Sequence, residues 1–116
     1  MKKIFPLLLF LVVSLLSYAD PDEIVLNPSG PQKDRSDFPP LLFIDIVTDE
    51  IIIDGNGYSA YYDVDIVSES TLLTLLSANV DGDYDTIDVS SLPDDNYTIV
   101  ITSSEDNQYE GHFTNY

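Results

Sequence analysis

Carboxylates are where this 116-residue sequence could do chemistry. It carries 21 Asp and Glu against four Lys and Arg, and Asp81-Gly82-Asp83-Tyr84-Asp85 sets three of them at alternate positions. Hard cations such as calcium take several oxygen ligands from one short loop, so Asp81, Asp83 and Asp85 form a candidate metal site. An EF-hand loop begun at Asp81 would need Gly at its sixth position and Glu at its twelfth. Those positions hold Thr86 and Leu92, which excludes a loop of that type. The plainer reading is a hairpin turn centred on Asp81-Gly82 with solvated flanks.

Other catalytic groups are scarce. There is no Cys, His112 is the single histidine, and neither a Gly-rich phosphate loop nor a nucleophile-elbow pattern occurs. A pair of carboxylates could act as acid and base in a hydrolase, but among 21 acids close pairs carry almost no information. His112 alternates with Gly111 and Phe113 and reads as an exposed strand residue. The sequence therefore predicts a protein that is not an enzyme and needs no cofactor.

Binding chemistry is better represented. Tyr58, Tyr61, Tyr84, Tyr109 and Tyr116 are too many for a small core. Tyrosine joins a rigid apolar ring to a polar tip, which suits it to protein and glycan surfaces. The first four make a candidate binding surface, against the alternative of cross-strand packing that supports a sheet. Leu72-Leu73-Thr74-Leu75-Leu76 places leucines on both faces of any strand it forms. Leu72 and Leu76 are then a candidate contact row, unless the N-terminal leader folds back over them or the segment is a short helix.

Charge and the N-terminus bound the partners. Met1-Lys2-Lys3, an apolar run of about 13 residues from Ile4 to Leu16, and Ser17-Tyr18-Ala19 have the three-part pattern of a cleavable signal peptide. The run falls short of the roughly 20 residues that span a bilayer, so the expectation is cleavage near Ala19 and a secreted or periplasmic product with no stable membrane anchor. Without cysteine that product has neither a lipid-modified end nor a disulfide. The whole chain has a net charge of −17, and loss of residues 1–19, with two lysines and no acid, takes it to −19. Such a field repels nucleic acids and acidic lipid surfaces and favours cations and basic proteins. It also keeps an exported domain soluble.

Residues 20–40 hold five of the seven prolines and read as an extended, mostly unordered leader, except that Glu23-Ile24-Val25-Leu26 could pair along a sheet edge. Residues 41–116 break into short β-branched runs separated by turn residues at the spacing of an antiparallel sandwich. The runs predict seven strands: Leu42–Thr48, Glu50–Asp54, Ser59–Val67, Leu72–Ala78, Tyr84–Val89, Asn96–Ser103 and Gln108–Thr114. Alternation points Ile44, Ile46, Ile51, Ile53, Tyr62, Val64, Ile66, Ile87, Val89, Tyr97, Ile99 and Ile101 inward. Asp54-Gly55-Asn56-Gly57 and Asp81-Gly82 accept positive φ and are expected to join hairpin strands.

Ile87-Asp88-Val89-Ser90-Ser91-Leu92-Pro93-Asp94-Asp95-Asn96-Tyr97-Thr98-Ile99-Val100-Ile101 and Glu110-Gly111-His112-Phe113 resemble the ending of a known group. These are the small secreted immunoglobulin-like β-sandwich proteins of unknown function from Bacteroides-type bacteria. There an Ile-Asp-Leu-Ser strand end leads through Leu-Pro-x-Gly-x-Tyr into Tyr-x-Ile-x-Ile, and the last strand reads Gly-x-Phe. Glu23-Ile24-Val25-Leu26, and Arg35-Ser36 before Pro39-Pro40, are similar to that group's leader. The resemblance implies an all-β, immunoglobulin/fibronectin-III-like antiparallel sandwich of about seven strands and an exported location, and it lends no activity. It also implies a tyrosine corner, with Leu92 before the turn and Tyr97 opening the next strand. Asp95 stands where the group has its turn glycine, and Asp tolerates a left-handed backbone better than most residues.

These readings converge on an exported, non-enzymatic module that binds a protein or glycan. The alternative is a structural subunit that pairs through an exposed strand edge or the Leu72–Leu76 row.

Overall fold

A computed structural model describes residues 22–30, 39–55, 57 and 59–115. The expected signal peptide lies outside the described residues, as do Tyr58 and Tyr116.

Short runs of Ile, Val and Tyr, broken by Asp, Gly and Ser, leave strand as the only structure that buries every second side chain. Nine strands result, with no helix among the described residues: β1 Asp22–Ile24, β2 Asn27–Pro28, β3 Leu41–Asp45, β4 Glu50–Asp54, β5 Tyr61–Ser68, β6 Thr74–Asp81, β7 Tyr84–Asp88, β8 Asp95–Ser103 and β9 Gln108–Asn115. They form two antiparallel sheets in the orders β1-β3-β4-β7 and β2-β9-β8-β5-β6. The seven expected strands are β3 to β9, and the stretch before them adds β1 and β2. This is an immunoglobulin-like sandwich.

The core lies between the sheets. Leu42, Ile51, Ile53, Tyr62, Ile66, Tyr97, Ile99 and Ile101 are wholly buried, and each aliphatic side chain removed from water stabilises the fold by roughly 1.5–3 kcal/mol. Ile46 departs from the inward row. The Asp45 carboxylate accepts the Val47 and Thr48 amides at 2.9 and 3.4 Å, which turns the chain out of β3. Ile46 is left in that turn, 71% exposed.

The glycine turns also depart from expectation, because neither joins a hairpin. β4 and β7 belong to one sheet and β5 and β6 to the other, so 55–60 and 82–83 carry the chain across the sandwich. The two crossings lie back to back. The Gly55 amide donates to the Asp83 carbonyl (2.9 Å), Gly57 to Gly82 (3.2 Å) and Gly82 to Ala60 (3.1 Å). Glycine is required at 55 and 82 by this approach and not by φ, since of the three only Gly57 has positive φ. A Cβ on Gly82 would sit 1.7 Å from the Ser59 carbonyl oxygen.

The described leader residues do not cover Leu72–Leu76. β1 pairs with β3, and β2 pairs with β9, at the opposite edge of its sheet from β6. Between them the chain passes over Gly111, where a Cβ would meet the Ile24 side chain at 2.8 Å. The passage inserts Ile24 into the core and laces the β3 and β9 edges together.

At the β7–β8 connection the Tyr97 hydroxyl donates to the Pro93 carbonyl, and its ring stacks on Phe113 with centroids 5.3 Å apart. Leu92 is buried beneath this corner. Burial raises the Tyr97 pKa, so the phenol remains a donor. Asp95 has no positive φ; its extended backbone opens β8, and the left-handed conformation expected for a glycine substitute is not used.

Two stability outcomes follow. Gly82→Ala will lower unfolding free energy by about 3 kcal/mol or more in urea titration, because the obstructing atoms are backbone. Tyr97→Phe, which keeps the stacked ring, will cost about 1 kcal/mol in the same assay.

Candidate functional site

Asp81, Asp83 and Asp85 flank the second crossing, where the carboxylates of Asp81 and Asp85 serve the backbone. Asp81 accepts the Asp83 amide (2.8 Å), and Asp85 accepts those of Asp81 (3.0 Å) and Thr86 (2.8 Å). Among the described residues no group of three His, Cys, Asp or Glu is placed to hold a metal ion.

The described candidate tyrosines, Tyr61, Tyr84 and Tyr109, do not converge. Tyr109 is 2% exposed: β9 turns Tyr109, Gly111 and Phe113 inward as one alternating row, so Tyr109 belongs to the interior and not to a binding surface. Its shared parity with Phe113 was a sequence signal for this. Tyr61 and Tyr84 are exposed. Each alternates with inward neighbours, Tyr62 in β5 and Ile87 in β7, so Tyr61 faces out from the five-stranded sheet and Tyr84 from the four-stranded one. Two aromatic rings on opposite faces do not make one platform.

The leucine run is where apolar surface gathers. The segment is a strand from Thr74, preceded by a turn. Leu76 points inward and packs at the rim of the core, so the contact row is not Leu72 with Leu76. The exposed leucines are Leu72, Leu73 and Leu75, at 78%, 61% and 42%. Register sets the difference: Leu76 lies opposite inward-facing Ile66, so alternation turns Leu75 outward, and with Val67 opposite Thr74 Leu75 is also the extra residue of a bulge. Leu72 has φ +61°, a left-handed conformation that a bulky side chain adopts only under constraint.

The constraint is a hydrogen-bonded turn. The Leu72 amide donates to the Ser68 carbonyl at 2.8 Å and the Ser68 amide to the Leu73 carbonyl at 2.9 Å. Ser68 and Ser70 hydroxyls both donate to Asp95 Oδ2, at 2.6 and 2.5 Å. On the other flank Glu69 Oε1 accepts the Thr98 hydroxyl (3.1 Å) and meets His112 Nδ1 (2.9 Å). The turn is tied to β8 and β9 from both sides, and its leucines stand in fixed positions in water. Sequence reasoning found the leucines and missed Ser68, Glu69, Ser70 and Asp95, since their partners lie 25 to 43 positions away.

At His112, Thr98 Oγ1 and Glu69 Oε1 both contact the same nitrogen, Nδ1, whereas a Ser-His-Asp relay has its nucleophile and its orienting acid on opposite ring nitrogens. Glu110 lies 3.7 Å from Nε2. The surroundings are acidic throughout: the described residues contain 18 carboxylates and neither Lys nor Arg. On the outer face of the five-stranded sheet Asn79 donates to Asp63 (2.8 Å) and Ser77 to Asp65 (2.5 Å), and these four residues line a shallow groove beside β6.

The class defined by these features is an immunoglobulin-like β-sandwich, and a solved structure agrees. The chain is similar to a DUF3244 family protein from Bacteroides vulgatus with an immunoglobulin-like β-sandwich fold, at TM-score 0.68 and 17% identity, over 84% of this chain and 100% of that one. The likeness is one of fold. No family model matches the sequence, and no curated protein does.

The serine hydrogen bonds hold the Asp95 carboxyl below the ordinary carboxylate pKa. A depressed carboxyl adds stability above its unfolded pKa and loses it as pH falls through the folded one. Asp95→Asn will therefore melt at lower temperature than the parent at pH 7, and the gap will close as pH falls through the depressed folded-state pKa and the carboxyl takes up its proton. Thermal melts across that range check it.

Proposed function

We propose that this chain is an exported, non-enzymatic module that binds another protein outside the inner membrane through the turn and strand carrying Leu72, Leu73 and Leu75. The observation that carries the reading is Leu72: an exposed leucine held in a left-handed backbone by a turn whose side chains are anchored to two other strands. Solvation alone gives no reason to hold apolar groups in that way. Strained positions persist only where the surroundings over-determine them, and they gather at binding sites. Preorganised apolar groups lose little freedom on association, which is what makes a small contact bind. The signal-peptide pattern of residues 1–19 supports export, and the absence of Cys and of a relay at His112 supports a binding role.

A glycan is the weaker ligand class on this geometry. Flat sugar faces need an aromatic platform, and Tyr61 and Tyr84 face apart. Assembly through a strand edge remains the second reading, favoured by the length of β6, an edge strand of eight residues.

A Leu72→Asn, Leu73→Ser, Leu75→Thr variant tests the proposal, since Asn tolerates the left-handed position and none of the three leucines is buried. Partner capture from the secreting cell by the parent protein should be lost in the variant, with the melting temperature kept. Equal capture by both, or a hit on a glycan array with no protein captured, overturns it.

A further inference from the structure

The two sides of the sandwich are finished differently. On the β3/β9 side the leader crosses from sheet to sheet and closes the gap. On the other side β6 ends the five-stranded sheet, and among the described residues it pairs with β5 alone. Its inward row shows the consequence. Leu76 and Ala78 are half-buried, whereas their partners Ile66 and Val64 on β5 are buried. The core is incompletely covered along this edge.

Exposed edges invite pairing with other chains, and natural sheets block them with Lys, Pro, bulges or very short strands. β6 has eight residues, no Lys and no Pro, and its bulge at Leu75 lies near its start, so 76–81 stay regular. A second copy of this chain fits poorly, because it brings the same strongly negative field to the contact. A basic chain is attracted by that field. The outer row of β6, Ser77, Asn79 and Asp81, lies beside Asp63 and Asp65 of β5.

From this we infer that β6 is a strand-addition site for an extended, basic segment of another protein. The segment would place apolar side chains over Leu76 and Ala78 and lysines or arginines beside Asp81, Asp63 and Asp65, with Leu73 and Leu75 at one end. Main-chain pairing then supplies affinity and the alternating side chains supply selectivity. The inference rests on the reading that this chain binds a protein, and it adds the partner's conformation and charge.

The test uses 15N-labelled protein and two eight-residue peptides, one alternating Val with Lys and one alternating Val with Glu. Amide shifts confined to Leu72–Asp81 and neighbouring β5 are expected with the Lys peptide only, with affinity falling about tenfold or more between about 0.05 and about 0.5 M salt. A Ser77→Lys, Asn79→Lys variant, altered at two exposed positions, should weaken that binding about tenfold and keep the parent's melting temperature. The peptide map on the parent protein stands even if the variant misfolds. No shifts with the Lys peptide, equal shifts with the Glu peptide, or shifts in β6 on concentrating the protein alone would each overturn the inference. If the peptides fail while the leucine variant still loses its partner, this inference falls and the protein-binding reading survives; if the leucine variant keeps its partner, that reading falls as well.

Discussion

The contact on which the rest of this structure depends is the one between its two inter-sheet crossings. Backbone meets backbone where Gly82 lies against Ser59 and Gly55 against Gly82, with no room for a Cβ on either glycine. Because both links cross the sandwich, β5 and β6 form one half and β4 and β7 the other. Hairpins at the same places would have made a single meander. The same crossings send Tyr61 and Tyr84 to opposite outer faces, and they leave β6 with a neighbour on one side only.

What the crossings leave open, the leader closes on one side. Its route over Gly111 buries Ile24 and supplies β3 and β9 with short partner strands, and Pro28 is tolerated there because β2 pairs on one side alone. No comparable strand covers β6 among the described residues. The sandwich is thus asymmetric: finished along one flank and open along the other. The turn before β6 adds fixed apolar side chains to that flank, held by Asp95 and Glu69 from opposite sides.

Acidity acts at two scales. At long range the carboxylates repel copies of the chain. At short range many of them accept backbone amides, as Asp45, Asp81, Asp83's neighbour Asp85, and Asp88 toward Ser90 do. Serine and backbone donors hold Asp88 below the ordinary carboxylate pKa, as the two serines hold Asp95. In the run of alternating Asp that resembles a metal loop in one dimension, the carboxylates of Asp81 and Asp85 are in three dimensions local turn acceptors.

The sequence by itself determined the strands and most of their faces, Ile46, Leu76 and Tyr109 apart. Alternation of β-branched residues is a property of neighbours, and burial of every second side chain follows from the pleat wherever the sheets lie. Thus β3 to β9, the inward isoleucines and Tyr97 were legible, and so was Tyr109, had its parity with Phe113 been weighed above its residue type. Tertiary structure alone decided the rest. Whether Asp81-Gly82 turns back or crosses over depends on which sheet receives the next strand. The conformation of Leu72 depends on Asp95, far along the chain, and the outward face of Leu75 on the register that sets Leu76 opposite Ile66 of β5. Strand order also left β6 an edge. Each is a relation between segments distant in sequence, and no local pattern encodes it.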